Sequence, residues 1–108
     1  MTKPSKAETF IGFAVRARKL RTGANTLSAL KKANLIIVCR TASDNAKENA
    51  VKYAAKYRCP LLVTADKDLS EIIRKDNVKV AAITDFALAK AINDNAAPTL
   101  TGLLPEEK

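Results

Sequence analysis

The segment "LIIVC", residues 35–39, constrains the fold more than any other part of the chain. It is uniformly apolar and rich in β-branched side chains, without alternation between apolar and polar residues. A strand with one face in water would alternate, so the segment predicts a strand that is covered on both faces of a sheet. Helices usually supply that cover. We therefore expect an α/β domain with helices on both sides of one sheet.

The remaining segments supply the helices and three further strands. The first helix is predicted from apolar residues at helical spacing: Phe10, Phe13, Ala14 and Ala17. The predicted elements are helices over 6–18, 24–33, 44–57, 69–75 and 86–92, with strands over 19–22, 35–39, 61–63 and 78–84. Residues 1–95 are expected to form a single domain. Residues 96–108, which carry two prolines and no clear period, are expected to form a C-terminal tail.

Several classes of chemistry are excluded by what the composition lacks. The chain has no histidine, and Cys39 and Cys59 lie outside any CxxC motif. Catalytic triads that need histidine are therefore ruled out, and we expect two reduced, buried thiols, no metal and no cofactor. The longest apolar run is too short to span a bilayer, and the first ten residues lack the apolar core of a signal peptide. These features predict a cytoplasmic protein without a membrane partner.

The charge of the chain is segregated. Residues 1–40 contain nine Lys or Arg and one Glu, whereas residues 41–108 contain ten basic and ten acidic residues. The whole net charge of +8 therefore belongs to the first third of the sequence. A concentrated positive field of this kind attracts a polyanion, and nucleic acid is the leading candidate. A solvated basic face without a partner is the alternative.

Three loops follow predicted strands and should meet where the carboxyl ends of those strands lie: Thr22–Asn25, Arg40–Asp44 and Thr64–Asp68. In the first loop, Gly23 allows close approach of the backbone, and a helix start at Asn25 offers N–H groups to a phosphate. The segment "RTGANT" matches neither a P-loop nor a dinucleotide fingerprint. A plain turn glycine and an ordinary helix-start asparagine explain the same residues without a ligand.

Other polar residues surround this loop. Helical spacing places Asn25, Ser28 and Lys32 on one face of the second helix. Lys19 and Arg21 precede the loop and are candidates for phosphate contact, together with Arg16 and Arg18. Arg40, just past the central strand, is either an ion-pair partner or a phosphate ligand.

These residues resemble the kink-turn RNA-binding ribosomal proteins of archaea and eukaryotes, and specifically their small bacterial relatives of the YlxQ type. The similarity covers residues 8–94. It is carried by "FIGFAVRARKLRTG", by "GAN" at the entry to the second helix, by "LIIVCRTASDNAKENAVKYAAKYRCPLLV" and by "VKVAAITDFALAKAI".

The resemblance implies a three-layer α/β/α sandwich around a four-stranded mixed sheet, and a monomer that binds structured RNA, ribosomal RNA included, without catalysis. In the family, helix two opens with Gly-x-Asn-Glu and has a lysine three residues after the Glu. Here Gly23, Ala24 and Asn25 match, but Thr26 replaces the Glu and Ala29 the Lys. A short apolar loop that packs on an extruded base is implied at Leu62, Val63, Thr64 and Ala65.

Two other functional classes remain open at this point. A Mg²⁺-dependent phosphoryl-transfer enzyme would gather carboxylates after its strands, where this chain has Asp44, Asp66, Asp68 and Asp85. Helix caps explain the same aspartates. A protein-interaction module that docks on an acidic partner would also use the basic first third.

Overall fold

The computed structural model describes residues 5–65, 67–96 and 100–101, except for the side chain of Ala24. The helices are α1 (Lys6–Arg16), α2 (Ala24–Ala29), α3 (Asp44–Tyr57), α4 (Leu69–Ile73) and α5 (Phe86–Asp94). The strands are β1 (Leu20–Thr22), β2 (Leu35–Val38), β3 (Leu61–Thr64), β4 (Val80–Ile83) and β5 (Leu100–Thr101). In this part of the chain, no helix has the length and apolarity that crossing a bilayer requires.

One mixed sheet contains all five strands in the order β1-β4-β2-β3-β5. Strands β2 and β3 are parallel and are joined by α3, whereas the other neighbouring pairs are antiparallel. The predicted α/β fold with helices flanking a mixed sheet is confirmed. The predicted number of four strands is wrong, because β5 pairs with β3 and buries Leu100. A strand of two residues is too short to give a periodic signal.

The sheet is the centre of the core. Every residue of β2 is 0% exposed, as the unbroken apolar run predicts for a strand covered on both faces. Strand β4 is buried along its whole length as well. Full burial of one Leu or Ile side chain contributes about 1.5–3 kcal/mol, so these two strands supply a large share of the stability.

Helix α1 turns only part of the predicted stripe toward the core: Ala14 is buried and Phe10 packs against the core partly buried, whereas Phe13 and Ala17 are exposed. Its buried residues are Ala7, Ile11 and Ala14. Phe13 is 43% exposed, with the Arg16 guanidinium 5.2 Å from the centre of its ring, and Ala17 lies past the helix and is exposed. The small side chains at positions 7 and 14 let the helix axis approach its neighbours closely, which bulky phenylalanines would prevent.

Helix α2 ends four residues earlier than its sequence pattern predicts. Its C-terminal carbonyls are taken by side chains from the end of α3: the Tyr57 hydroxyl lies 2.5 Å from the Leu27 carbonyl oxygen and 3.0 Å from that of Leu30, and the Lys56 ammonium donates to Ser28 at 2.8 Å. The last carbonyls of a helix have no partner within it. Lys56 satisfies the Ser28 carbonyl, and the single hydroxyl hydrogen of Tyr57 is shared between the carbonyls of Leu27 and Leu30, which turns to an extended conformation.

The predicted helix starts are confirmed. Ser43 Oγ accepts from the Ala46 N–H at 3.1 Å, and Asp85 Oδ2 accepts from the Leu88 N–H at 2.9 Å. Asp68 and Glu71 form a capping box at the start of α4. Each cap contributes about 0.5–2 kcal/mol.

The two cysteines differ in accessibility. Cys39 is buried, whereas Cys59 is only partly buried, so the prediction of two buried thiols holds fully for the first. Burial raises the pKa of Cys59 to about 11. Burial also raises the pKa of Cys39, but hydrogen bonds, chiefly with Thr41 and the Leu69 N–H, outweigh it, so that this pKa is lowered overall.

Thiol labelling of the native protein should therefore be slow at Cys59 and absent at Cys39. The thiolate is the reactive species, so the rate at Cys59 should rise with pH until about pH 11. Cys39 should react only when the chain unfolds, because its sulfur is out of contact with solvent. A Cys59→Ser variant isolates Cys39 in this assay. Rapid labelling of that variant under native conditions would contradict the burial of Cys39.

Candidate nucleic-acid interface

The three predicted loops lie at the same end of the sheet. Strands β1, β2 and β3 run in one direction, because β4 is antiparallel to both β1 and β2 and β3 is parallel to β2. The pairing sets these residues level across the sheet: Thr22, Ala81, Ile37 and Leu62. The connections that follow β1, β2 and β3 therefore share one edge, as predicted. We call it the loop edge: residues 23–25, 40–44 and 65–68, of which Asp66 lies outside the described residues.

The loop edge is wide enough for a macromolecule. Neighbouring strands are about 4.8 Å apart, so the end of β1 lies about 10 Å from that of β2 and about 14 Å from that of β3. A contact surface of this width suits a folded polymer better than a single small anion.

The first loop has an unusual backbone at Gly23. Its φ of 94° and ψ of 139° lie in a region that only glycine adopts without strain. A Cβ at this position would meet its nearest neighbour, the Thr26 hydroxyl oxygen, at an ordinary 4.0 Å. The backbone conformation, rather than lack of space, therefore explains the glycine.

Helix α2 presents exposed polar residues next to this glycine. Asn25, Thr26 and Ser28 are all exposed, and Ser28 Oγ donates to the Asn25 carbonyl at 3.1 Å. The helix has only six residues, so its macrodipole is small. Attraction of a phosphate at this end would depend on side chains and individual N–H groups rather than on the helix as a whole.

The predicted phosphate contacts are not all brought together. Arg21 lies within β1 and is exposed, close to Gly23. Lys19 precedes β1 at the other end of the sheet, about 13 Å from Gly23 at 3.3 Å per residue, where its carbonyl binds Thr84. Lys32 is exposed but lies beyond the end of α2, so the helical face proposed for it does not exist.

Arg40 connects the second and third loops. Its Nε donates to Asp68 at 3.4 Å, its Nη1 to the Ala65 carbonyl at 2.9 Å, and its backbone N–H to Thr64 Oγ1 at 2.9 Å. Both partners of the ion pair have side chains that are 41% exposed. An exposed pair of this kind contributes about 0.2–1 kcal/mol, so a phosphate could compete with Asp68 for the guanidinium. The structure thus shows the ion pair and leaves Arg40 accessible to an anion.

The apolar loop expected at residues 62–65 is not a loop. Leu62, Val63 and Thr64 belong to β3 and are at most 3% exposed, so their side chains offer no surface to a base. Only Ala65 is exposed at this place. Strand β3 pairs with β2 on one side and, at Val63 and Thr64, with β5 on the other, so the segment is an interior strand of the sheet.

Of the aspartates of the enzyme alternative, Asp44 and Asp68 lie at the loop edge and Asp85 does not. Asp85 follows β4, which is antiparallel to β2, and therefore lies at the end of the sheet opposite the loop edge. Asp68 is engaged by Arg40, and Asp44 lies exposed in the first turn of α3. Within the described ranges, no group of three or more Asp, Glu or Cys residues is placed to hold a metal ion.

Side chains of α3 were missed by the sequence reasoning. Lys56 and Tyr57 contact α2 from about thirty positions away. Local periodicity carries no signal for such a contact, and the charge segregation indicates a binding surface in the first third of the chain, which does not include α3.

Comparison with known proteins supports the fold. No protein-family model matches the chain, and no curated protein sequence matches it. A protein of unknown function from Bacillus halodurans C has a similar structure, with a TM-score of 0.74 and 23% identity over 84% of this chain and 96% of that one. The 15.5kD RNA binding protein of Giardia lamblia is also similar, with a TM-score of 0.60 and 15% identity over 85% of this chain and 86% of that one.

Proposed function

We propose that this protein binds structured RNA without catalysing a reaction on it, and that it recognises a kink-turn or a similarly bent RNA. The observation that carries the proposal is the exposed β1–α2 connection at the loop edge, where Gly23 sets an unusual turn between Arg21 and Asn25. No acidic residue occurs between positions 9 and 43, so this edge of β1 and α2 is purely basic and polar. The similar fold of a named RNA-binding protein supports an RNA partner.

Two kinds of contact are assigned to the loop edge. Arg21 and Arg40 bind phosphates, which fix the RNA in place without reading its sequence. Asn25 hydrogen-bonds base edges of the tandem G·A pairs that define a kink-turn. Thr26 offers one hydroxyl where the resembling family has a carboxylate, so base discrimination should be weaker than in that family. Ribosomal RNA is one candidate ligand, and the protein acts as a monomer.

A titration with a kink-turn RNA and with a plain duplex of equal length tests the proposal. Tighter binding to the kink-turn supports it. Equal binding to both RNAs would contradict bend recognition, and binding to polyglutamate in preference to either RNA would favour the protein-interaction alternative. Turnover of RNA or of a phosphate ester in the presence of Mg²⁺ would contradict the non-catalytic assignment.

Replacing Arg21 with glutamine should reduce the affinity for all RNAs nearly equally. A phosphate contact releases a counterion, so losing it should reduce the slope of log affinity against log salt concentration by about 0.7–0.9. The ratio of kink-turn to duplex affinity should hardly change. Titrations at several salt concentrations measure both quantities. Lys90→Gln is the matched control, since Lys90 is exposed on α5, which packs against α1. A slope that changes equally in the two variants would contradict the placement of the RNA at the loop edge.

A further inference from the structure

The fold joins two segments that lack acidic residues. Positions 9–43 and 49–65 contain neither Asp nor Glu. The hydrogen bonds from Lys56 and Tyr57 to the carbonyls of α2 bring the end of α3 against the end of α2, so that the two segments meet. Neither segment therefore contributes an acidic residue to this contact.

We call this contact the α2–α3 junction and define it by its exposed cations: Lys31, Lys32, Lys52, Lys56 and Arg58. Lys31 and Lys32 directly follow Leu30, whose carbonyl binds Tyr57, and Arg58 directly follows Tyr57. The sequence balance of zero beyond residue 40 conceals this cluster, whose nearest acidic residue in sequence is Glu48, one turn before Lys52 on α3.

One cation of the junction is held differently from those of an ordinary solvated face. The Lys56 ammonium has three donors, of which the Ser28 carbonyl takes one, so the group is held in place with donors left for an anion. Arg58 has a φ of 53° at the end of α3, where glycine would be less strained. Arg18 and Arg74 have positive φ as well, so the strain by itself assigns no role to Arg58 and serves only to design its substitution.

We infer that the α2–α3 junction is a second phosphate-contact surface, which binds the sugar-phosphate backbone of the RNA that occupies the loop edge. Helix α2 is about 9 Å long at 1.5 Å per residue, so the two surfaces are neighbours along one helix. A double-helical stem carries a phosphate on each strand at every base pair, so a stem that passes the loop edge reaches the junction with several phosphates. The inference rests on the proposed RNA-binding function.

Arg58→Gly tests the junction without endangering the fold. The substitution relieves the positive φ, so the denaturation midpoint should rise. Affinity for a long-stemmed RNA should nevertheless fall about five- to eightfold at 0.1 M salt, with the salt slope reduced by about 0.7–0.9. On an RNA whose stem is too short to reach past α2, the variant should bind like the wild type.

Arg74→Gly is the matched control. Arg74 has a φ of 66° at the end of α4, so the substitution removes the same charge and relieves the same kind of strain. Helix α4 packs against α1 and begins directly after the loop edge. Arg74→Gly should therefore raise the denaturation midpoint, and any effect on RNA should be the same for long-stemmed and short-stemmed RNAs.

The outcomes separate this inference from the proposed function. Equal effects of Arg58→Gly and Arg74→Gly on RNA would overturn the second surface, and a kink-turn preference that is lost in Asn25→Ala would show that the loop edge still binds RNA. Loss of polyglutamate binding in Arg58→Gly, with RNA affinity unchanged, would assign the junction to an acidic protein and also overturn the inference. Absence of any RNA binding by the wild type would overturn both proposals together.

Discussion

Asn25→Ala is expected to weaken binding to a kink-turn RNA by about 1–3 kcal/mol, the cost of losing a good base contact. The loss on a plain duplex should be far smaller, because a duplex does not present the same base edges to α2. Asn25 is exposed beside Gly23, so the substitution should leave the core untouched. Calorimetric titration with both RNAs measures the difference.

Asn45→Ala provides the matched control for this variant. Asn45 is also exposed and lies in the first turn of α3, beside the second loop of the same edge. Its replacement should reduce kink-turn affinity by much less than that of Asn25. If both variants lose the same affinity on both RNAs, asparagine at position 25 has no special role in reading bases.

Thr26→Glu should change the preference for the kink-turn in the direction opposite to Asn25→Ala. The new carboxylate can accept hydrogen bonds from base amino groups, so preference for the kink-turn over the duplex should increase although negative charge is added beside RNA. A purely electrostatic binder would instead lose affinity for every RNA. If Thr26→Glu weakens both RNAs alike and Asn25→Ala changes nothing, the glycine-asparagine entry is only a helix start.

Gly23→Ala should destabilise the protein by about 1–3 kcal/mol, the cost of forcing a residue with a Cβ into this backbone region. Room for the methyl group exists, so the loss should come from the backbone and not from a clash. Denaturant unfolding monitored by circular dichroism measures it.

Gly12→Ala is the opposite case and serves as the control. Gly12 lies inside α1, where an added Cβ would lie 4.0 Å from its nearest neighbour, Arg16 Nη1, which is an ordinary contact distance. Alanine favours a helix over glycine by about 0.5–1 kcal/mol, so this variant should be more stable than the wild type. Similar stability losses in both variants would contradict the backbone explanation for Gly23.

The architecture could be predicted where local pattern and final environment agree. The apolar run of β2 predicts a strand covered on both faces, and β2 is buried in this way in the sheet. The position of the loop edge follows from strand direction alone. Contacts made over long separations could not be predicted. The early end of α2 depends on Tyr57, and the interior position of Val63 and Thr64 in the sheet depends on β5, which is only two residues long.

The candidate site was predicted less completely than the fold. Glycine and asparagine at the start of α2 were found because backbone requirements at a turn can be recognised in sequence. The sequence could not decide whether Arg40 forms an ion pair or binds a phosphate, since its partners Asp68 and Ala65 come from another loop. The cations at the end of α3 could not be recognised from the charge balance beyond residue 40, because that balance does not tell which basic residues lie next to one another in the fold.

The capping of α2 by α3 also has a consequence for local stability. A six-residue helix does not persist alone in water, so α2 depends on Tyr57 and Lys56 for the hydrogen bonds at its end. Segments held by few, partly exposed bonds open at lower free energy than the core does. We expect the amide protons of α2 to exchange with solvent through such local openings, whereas those of β2 and β4 exchange only on global unfolding. Bound RNA would then close a segment that opens repeatedly in the free protein, and part of its binding energy would be spent on that ordering.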